Sequence, residues 1–374
     1  MERMLKVAIV GCGKIADSHA AQIQRIKDCE IVAVCDREPL MAQQLCYRFP
    51  IKQSFTDLEE LLRTAQPDVV HITTPPEGHF EIARLCLENG SNIYVEKPFT
   101  VYPHEAEKLV ELAENRGLKL TAGHNLQFTP AARRMREIVK TGYLGERAVH
   151  LESYYGYNLS DPSYARALLG DKQHWVRRLP GNLLQNIISH GIARLAEFLT
   201  ADRPHVIAYG FTSPLLKSIG ETEIIDELRV IISEQERTTA FFTFSSQMKP
   251  CIHELRVYGS ANGLILDEDH DIVLTLRGNK YKSFADKFIP PVQFAKQNLA
   301  NLFANAKLFM ANDFHMDSSL KCLIESFYRS IQENTQVPIP YREILLTSRI
   351  MGEIFEQLGS KRPAELLVNS PGLV

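Results

Sequence analysis

No stretch of the chain stays apolar for the roughly 20 residues that a membrane-spanning helix needs, so no membrane partner is expected. An excess of basic charge is lacking too, since 42 Lys and Arg against 45 Asp and Glu leave a formal net charge of -3. The tightest cationic group, Arg133, Arg134 and Arg136, has the spacing of a solvated helix side, and no nucleic-acid face is expected from it. The seven cysteines (Cys12, Cys29, Cys35, Cys46, Cys86, Cys251 and Cys322) include no C-x-x-C pair and no metal-ligand spacing. They read as reduced thiols, with no metal expected. Also missing is the basic, apolar, small-residue order of a secretory signal, because the first residues run straight into a strand pattern. These absences together point to the cytoplasm.

What remains is an ordinary globular composition, 45% hydrophobic over 374 residues, long enough for two cores rather than one. The first third alternates short β-branched runs with helical patterns. Strands are expected at 6–10, 31–35, 69–73, 92–95 and 119–122, and helices at 15–26, 40–49, 58–64, 80–89 and 103–116. This is the rhythm of β-α-β units, so residues 1–124 are read as a Rossmann domain, a doubly wound parallel sheet. Beyond Asn125 the texture changes to a helix at 133–141 and longer strands at 148–155, 206–211, 228–233, 238–246, 254–258 and 272–276. Residues 125–374 therefore read as an α+β domain with a large, mostly antiparallel sheet, whose helices at 318–332 and 341–358 can pack back on the first domain. Phe241 and Phe242 are adjacent, so both sheet faces need cover if they point opposite ways. Helices would supply one cover and a second copy the other, giving a homodimer or homotetramer.

The segment Gly11-Cys12-Gly13-Lys14-Ile15-Ala16 matches G-x-G-x-x-G/A between a strand and a helix. Gly11 permits the turn, Gly13 admits a pyrophosphate against the backbone, and Ala16 allows close helix packing. The free N–H groups at the helix start, including Lys14 and Ile15, would hold the phosphates. Asp36, ending the second strand, is the expected acid for ribose hydroxyls and favours NAD, while Arg37 could pair with a 2′-phosphate and so allow NADP.

Several further segments occur in order: His19; Thr74-Pro75-Pro76 with His79; Glu96-Lys97-Pro98; Asn125; Phe128-Thr129-Pro130; Trp175 with Arg177; and 181–190. With the glycine loop, this series resembles the glucose-fructose oxidoreductase/inositol dehydrogenase family, Gfo/Idh/MocA. The resemblance implies that Thr73, Thr74, Pro75, His79, Glu96 and Asn125 line the cofactor. It puts Lys97 beside both nicotinamide and substrate, and makes His190 and residue 186 catalytic. It departs from the family at residue 186, here Asn186 instead of aspartate, at Ile188, at Ala193 and at Gln127.

Hydride removal from a carbinol needs a base for the hydroxyl proton and a cation for the developing alkoxide, roles that suit His190 and Lys97. On one helix Asn186 and His190 would share a face at i,i+4 spacing. Without a carboxylate beside it, His190 would be less basic than in relatives. Tyr154, Tyr155, Tyr157 and Trp175 can offer aromatic faces to a sugar ring. Arg166, Lys172, Arg177 and Arg178 can offer charge to a carboxylate or phosphate. The expected activity is NAD(P)-dependent oxidation or reduction of a sugar, cyclitol or nucleotide-sugar, with Lys97, Asn125, Tyr154, Trp175, Arg177, Asn186 and His190 meeting substrate. The competing reading is a non-catalytic dinucleotide-binding sensor, motivated by Asn186 and Ala193.

Overall fold

The structure, a computed structural model, describes residues 4–159, 169–235, 237–311, 314 and 317–368, with side chains to Gly359. Arg166 lies outside the described residues. Two compact units emerge, one of residues 1–130 with 306–348 and the other of 131–305 with 349–374. The domain read as 125–374 thus yields 125–130 and 306–348 to the first unit.

In the first unit, β1 (Leu5–Val10), β2 (Cys29–Cys35), β3 (Gln53–Phe55), β4 (Val69–Ile72), β5 (Asn92–Val95) and β6 (Leu120–Ala122) form one parallel sheet ordered β3-β2-β1-β4-β5-β6. Val7 to Val10 and Val69 to Ile72 are buried without alternation, as strands covered on both faces must be. Crossovers are made by α1 (Lys14–Ile23), α2 (Pro39–Arg48), α3 (Leu58–Ala65), α4 (His79–Glu88) and α5 (Pro103–Asn115). The start of α3 is set by Asp57, whose carboxylate accepts from the Glu60 N–H at 2.8 Å. Strand order reverses between β1 and β4, and loops at that switch point hold ligands in open α/β sheets. The returning helix Ser318–Gln332 belongs to this unit. Lys119 fastens it by donating to the carbonyls of Ser330 and Thr335.

The sequence reading did not include β3, a three-residue edge strand, or β12 (Gly263–Asp267), whose apolar residues Leu264, Ile265 and Leu266 run together without alternation. The second unit's sheet consequently has seven strands, not six: β7 (Ala148–Gly156), β8 (His205–Phe211), β9 (Glu227–Glu234), β10 (Thr238–Ser245), β11 (His253–Gly259), β12 and β13 (Ile272–Leu276). The order is β13-β12-β11-β7-β10-β9-β8, antiparallel except for the β7–β10 pair. Phe242 is buried while Phe241 is 44% exposed, so the adjacent rings do point to opposite faces. The helix Ser189–Ala196 lies against the inner face, where a Cβ on Gly191 would stand 2.4 Å from the Phe242 ring.

The helix Ala285–Met310 escaped the sequence reading because Pro290 and Pro291 interrupt its pattern. Its amphipathicity is also inverted. Gln297 both accepts from Thr275 N (2.7 Å) and donates to Thr275 O, and Asn301 pairs in the same way with Val273. These carboxamides complete the open hydrogen bonds of edge strand β13. Phe288, Val292, Leu299, Leu302 and Phe303 remain exposed.

Candidate active site

The glycine loop follows β1 directly. Gly11 has φ +93°, and a Cβ there would lie 2.7 Å from both Thr74 Cγ2 and Thr74 N, so the turn and the neighbouring loop require glycine. Thr73 Oγ1 donates to Gly11 O at 2.6 Å, binding the two loops together. Gly13 differs from Gly11, for a Cβ on it would meet no heavy atom within 4 Å. It precedes α1 with φ −76° and without a side-chain cap, leaving the first-turn N–H groups of exposed Lys14 and Ile15 available. Buried Ala16 and Ala20 let the helix approach the sheet. Asp36 Oδ2 accepts from Cys12 N at 2.7 Å and Oδ1 from Glu38 N at 2.9 Å, which fixes the carboxylate beside the loop with lone pairs to spare. Arg37 is exposed.

The next two loops rise on the same strand ends. Thr74 is half-buried and Pro75 exposed at the β4 end, while His79 behind them is fully buried. His79 Nε2 contacts Thr74 O at 2.9 Å and Nδ1 contacts Pro98 O at 3.0 Å, which ties the β4 and β5 loops together. Glu96 is buried likewise, and accepts from the Lys97 backbone N–H at 3.3 Å. Lys97 is half-buried. Burial lowers its ammonium below the ordinary range, with Glu96 working in the opposite direction. Asn125 Nδ2 donates to Ser319 Oγ at 3.1 Å, and buried Gln127 donates to Glu343.

In the second unit Asn186 and His190 do not share a helix. Asn182–Ile187 ends at Ile188 and Ser189–Ala196 begins there, leaving Asn186 in one last turn and His190 in the next first turn. Both are half-buried. The ring stacked on His190 belongs to Tyr155, at 6.4 Å and 19°. Tyr154 occupies the opposite sheet face, where its hydroxyl donates to Glu152 and Arg256 lies over its ring, so of these two tyrosines it is Tyr155 that shares a face with His190. Leu151 and Ser153, both buried, mark that inner face. Trp175 is half-buried in a short 3-10 turn, stacked with His174. Arg177 already meets Glu221 at 2.7 Å with both side chains nearly buried, so its charge is matched within the unit. Lys172 and Arg178 are exposed.

A parallel 3-2-1-4-5-6 sheet with a glycine loop at its switch point defines the dinucleotide-binding class of α/β domains. Residues 5–124 match the Gfo/Idh/MocA family, described as an oxidoreductase family with an NAD-binding Rossmann fold. The D-glucoside 3-dehydrogenase of Escherichia coli is 34% identical over 143 residues, 38% of this chain and 41% of that protein. The chain spans less than half the length of the first curated relatives it matches. Likeness of fold extends further. The WlbA dehydrogenase from Bordetella pertussis, solved with NADH and UDP-GlcNAcA, superposes with TM-score 0.76 at 14% identity, covering 96% of both chains. The scyllo-inositol dehydrogenase of Lactobacillus casei superposes with TM-score 0.69 at 17% identity, covering 96% of this chain and 98% of that one.

Proposed function

We propose that the chain is an NAD-dependent oxidoreductase that moves hydride between the nicotinamide and a carbinol or ketone of a sugar, cyclitol or nucleotide-linked sugar. The observation that carries this reading is the half-buried Lys97 just beyond the end of β5, next to the switch point where Gly11, Gly13 and Asp36 suit a dinucleotide. The open space over Gly13 and the uncapped α1 start suit a pyrophosphate, and the Asp36 carboxylate suits ribose hydroxyls. Asp36 would repel a 2′-phosphate, which supports NAD over NADP despite Arg37.

When bound, the nicotinamide accepts or supplies the hydride. Lys97 stabilises the negative charge that grows on the substrate oxygen. A ring nitrogen of His190 takes the hydroxyl proton or returns it. Stacking on Tyr155 holds the imidazole plane, and Asn186 can hydrogen-bond a substrate hydroxyl without adding charge. The names of the E. coli and B. pertussis relatives support the sugar class.

A homo-oligomer is part of the proposal. Ile207, Ile231 and Phe241 are paired in register across β8, β9 and β10 and are all exposed, forming an apolar row that a second copy can cover. Seven free cysteines support a reducing, cytoplasmic setting. No helix among the described residues is long and apolar enough to cross a membrane.

The test is a panel of glycosides, cyclitols and nucleotide-sugars incubated with protein and NAD, read by reduced-nicotinamide absorbance. Reduction with one class supports the enzyme. Tight cofactor binding without reduction by any of them supports the sensor that Asn186 and Ala193 would suit.

A further inference from the structure

Behind Lys97, on the inner side of the rim, lies a continuous line of buried polar contacts. Glu96 Oε1 is 2.9 Å from His19 Nε2, His19 Nδ1 is 2.7 Å from His71 Nδ1, and His71 Nε2 is 2.7 Å from the Tyr328 hydroxyl. Both imidazoles are wholly buried and Tyr328 nearly so. The residues come from α1, β4, the loop after β5 and the helix Ser318–Gln332, all within the first unit. Tyr94 of β5 stacks on the His71 ring at 4.7 Å and 6°, and meets His19 edge-on. Room for the carboxylate is left by Gly123, where a Cβ would lie 2.8 Å from Glu96 Oε1.

Hydrogen counting limits where the protons along this line can sit. Two Nδ1 atoms 2.7 Å apart need one hydrogen between them, donated by one ring and accepted by the other. With Glu96 ionised, His19 donates through Nε2, and in the arrangement with a neutral His19 ring its Nδ1 lone pair accepts from His71 Nδ1–H. His71 Nε2 is then an acceptor, and the Tyr328 hydroxyl is the donor it needs. Each group then has one role. Burial agrees with this for His71, holding its imidazole well below the ordinary range. Burial alone would raise Glu96, but the His19 hydrogen bond and the nearby Lys97 charge bring its carboxyl below the usual value.

We propose that His19, His71 and Tyr328 are positioning residues that lock Glu96 as a carboxylate against the Lys97 loop, and that this buried anion keeps Lys97 an ammonium where it meets substrate. The inference rests on the oxidoreductase reading for its purpose, while its test does not depend on turnover. Other titratable groups bearing on Glu96 are His79 and His124, both fully buried and held neutral by desolvation. Tyr94 stays protonated, and Cys29 bears on the Tyr328 end. The His19 ring contacts Glu96 directly, while Lys97 reaches its carboxylate through the backbone N–H at 3.3 Å and feels its charge.

The experiment measures the titration midpoint of Lys97 in the full chain, from the pH dependence of its acylation read by peptide mass spectrometry. Glu96→Gln and His19→Leu should each lower the midpoint by at least about half a unit, roughly threefold more neutral amine at a given pH below it. His19→Gln retains an N–H donor toward Glu96 and should restore the midpoint, which a packing role alone would not explain. His71→Leu, which frees the His19 tautomer, should fall between the two. Imidazole nitrogen NMR of the unmodified chain should find His19 protonated on Nε2 and His71 on Nδ1, with the His71 ring staying neutral down to well below its ordinary range. The opposite tautomers, or a Lys97 midpoint indifferent to both Glu96→Gln and His19→Leu in folded protein, would overturn the proposal. Failure of every sugar to reduce NAD would leave these outcomes readable.

Discussion

Replacing Gly13 by valine separates ligand binding from folding more cleanly than any other change at the site. A Cβ on Gly13 meets no protein atom within 4 Å, and φ −76° suits any L-residue, so the substitution adds no internal clash. The folding cost should be limited to a poorer helix N-cap, about 1 kcal/mol or less. The new methyl groups project over the α1 start, into the space proposed for the pyrophosphate. Charge-assisted hydrogen bonds are worth about 1.5–3 kcal/mol each, so losing two costs about 3–6 kcal/mol. That is roughly a hundredfold to ten-thousandfold in affinity for NAD. Gly11→Ala is the contrasting variant: with φ +93° and Thr74 at 2.7 Å, it should lose about 1–3 kcal/mol of stability from backbone strain alone. Calorimetric titration with NAD and a thermal melt on both variants make the comparison. Unchanged NAD affinity in folded Gly13→Val would refute the placement of the cofactor over this loop.

Lys97→Ala should slow hydride transfer by about a hundredfold or more with the fold intact. His190→Ala should slow it as well, by a factor that shrinks as pH rises and solvent takes the proton; pH–rate profiles of the two variants check this. Asn186→Asp should raise the apparent pKa of the base in the same profile, provided the two residues meet across the break at Ile188; an unmoved profile with measurable turnover would uncouple them. Phe241→Arg should shift the assembly toward monomer in light scattering, because it sets a charge in the apolar row on β8, β9 and β10. Acid should destabilise the first unit. Burial pushes His124 down to about 4, so as pH falls through the unfolded value near 6.5 the unfolded chain takes up a proton the native one refuses. That group alone costs about 2 kcal/mol by pH 5, and a melting temperature flat between pH 7 and 5 would contradict it.

The first unit was legible because its strands are apolar on both faces and its glycine loop sits where a strand becomes a helix. Gly11 and Asp36 could be named from order and spacing, and Lys97 from the resemblance to the family. What sequence reading missed depended on which way a side chain turns. Tyr154 and Tyr155 look equivalent in sequence, yet strand alternation puts one beside His190 and the other beneath Arg256. Arg177 reads as a free cation until Glu221, 44 positions on, closes over it. The break at Ile188 carries no Pro or Gly to announce it. His71 did leave a signal: a polar residue inside the apolar run Val69-Val70-His71-Ile72 must find buried partners. One of them, Tyr328, stands 257 residues away.

The central claim is that hydride passes between a substrate C–H bond and a nicotinamide held by the first unit. With the best substrate of the panel carrying deuterium at its reacting carbon, mass spectrometry of the cofactor after incubation with NAD tests this directly. The account predicts reduced cofactor heavier by one deuterium, formed by the native chain and strongly diminished with Lys97→Ala. Cofactor that binds tightly yet stays oxidised and unlabelled with every deuterated member of the panel would contradict it.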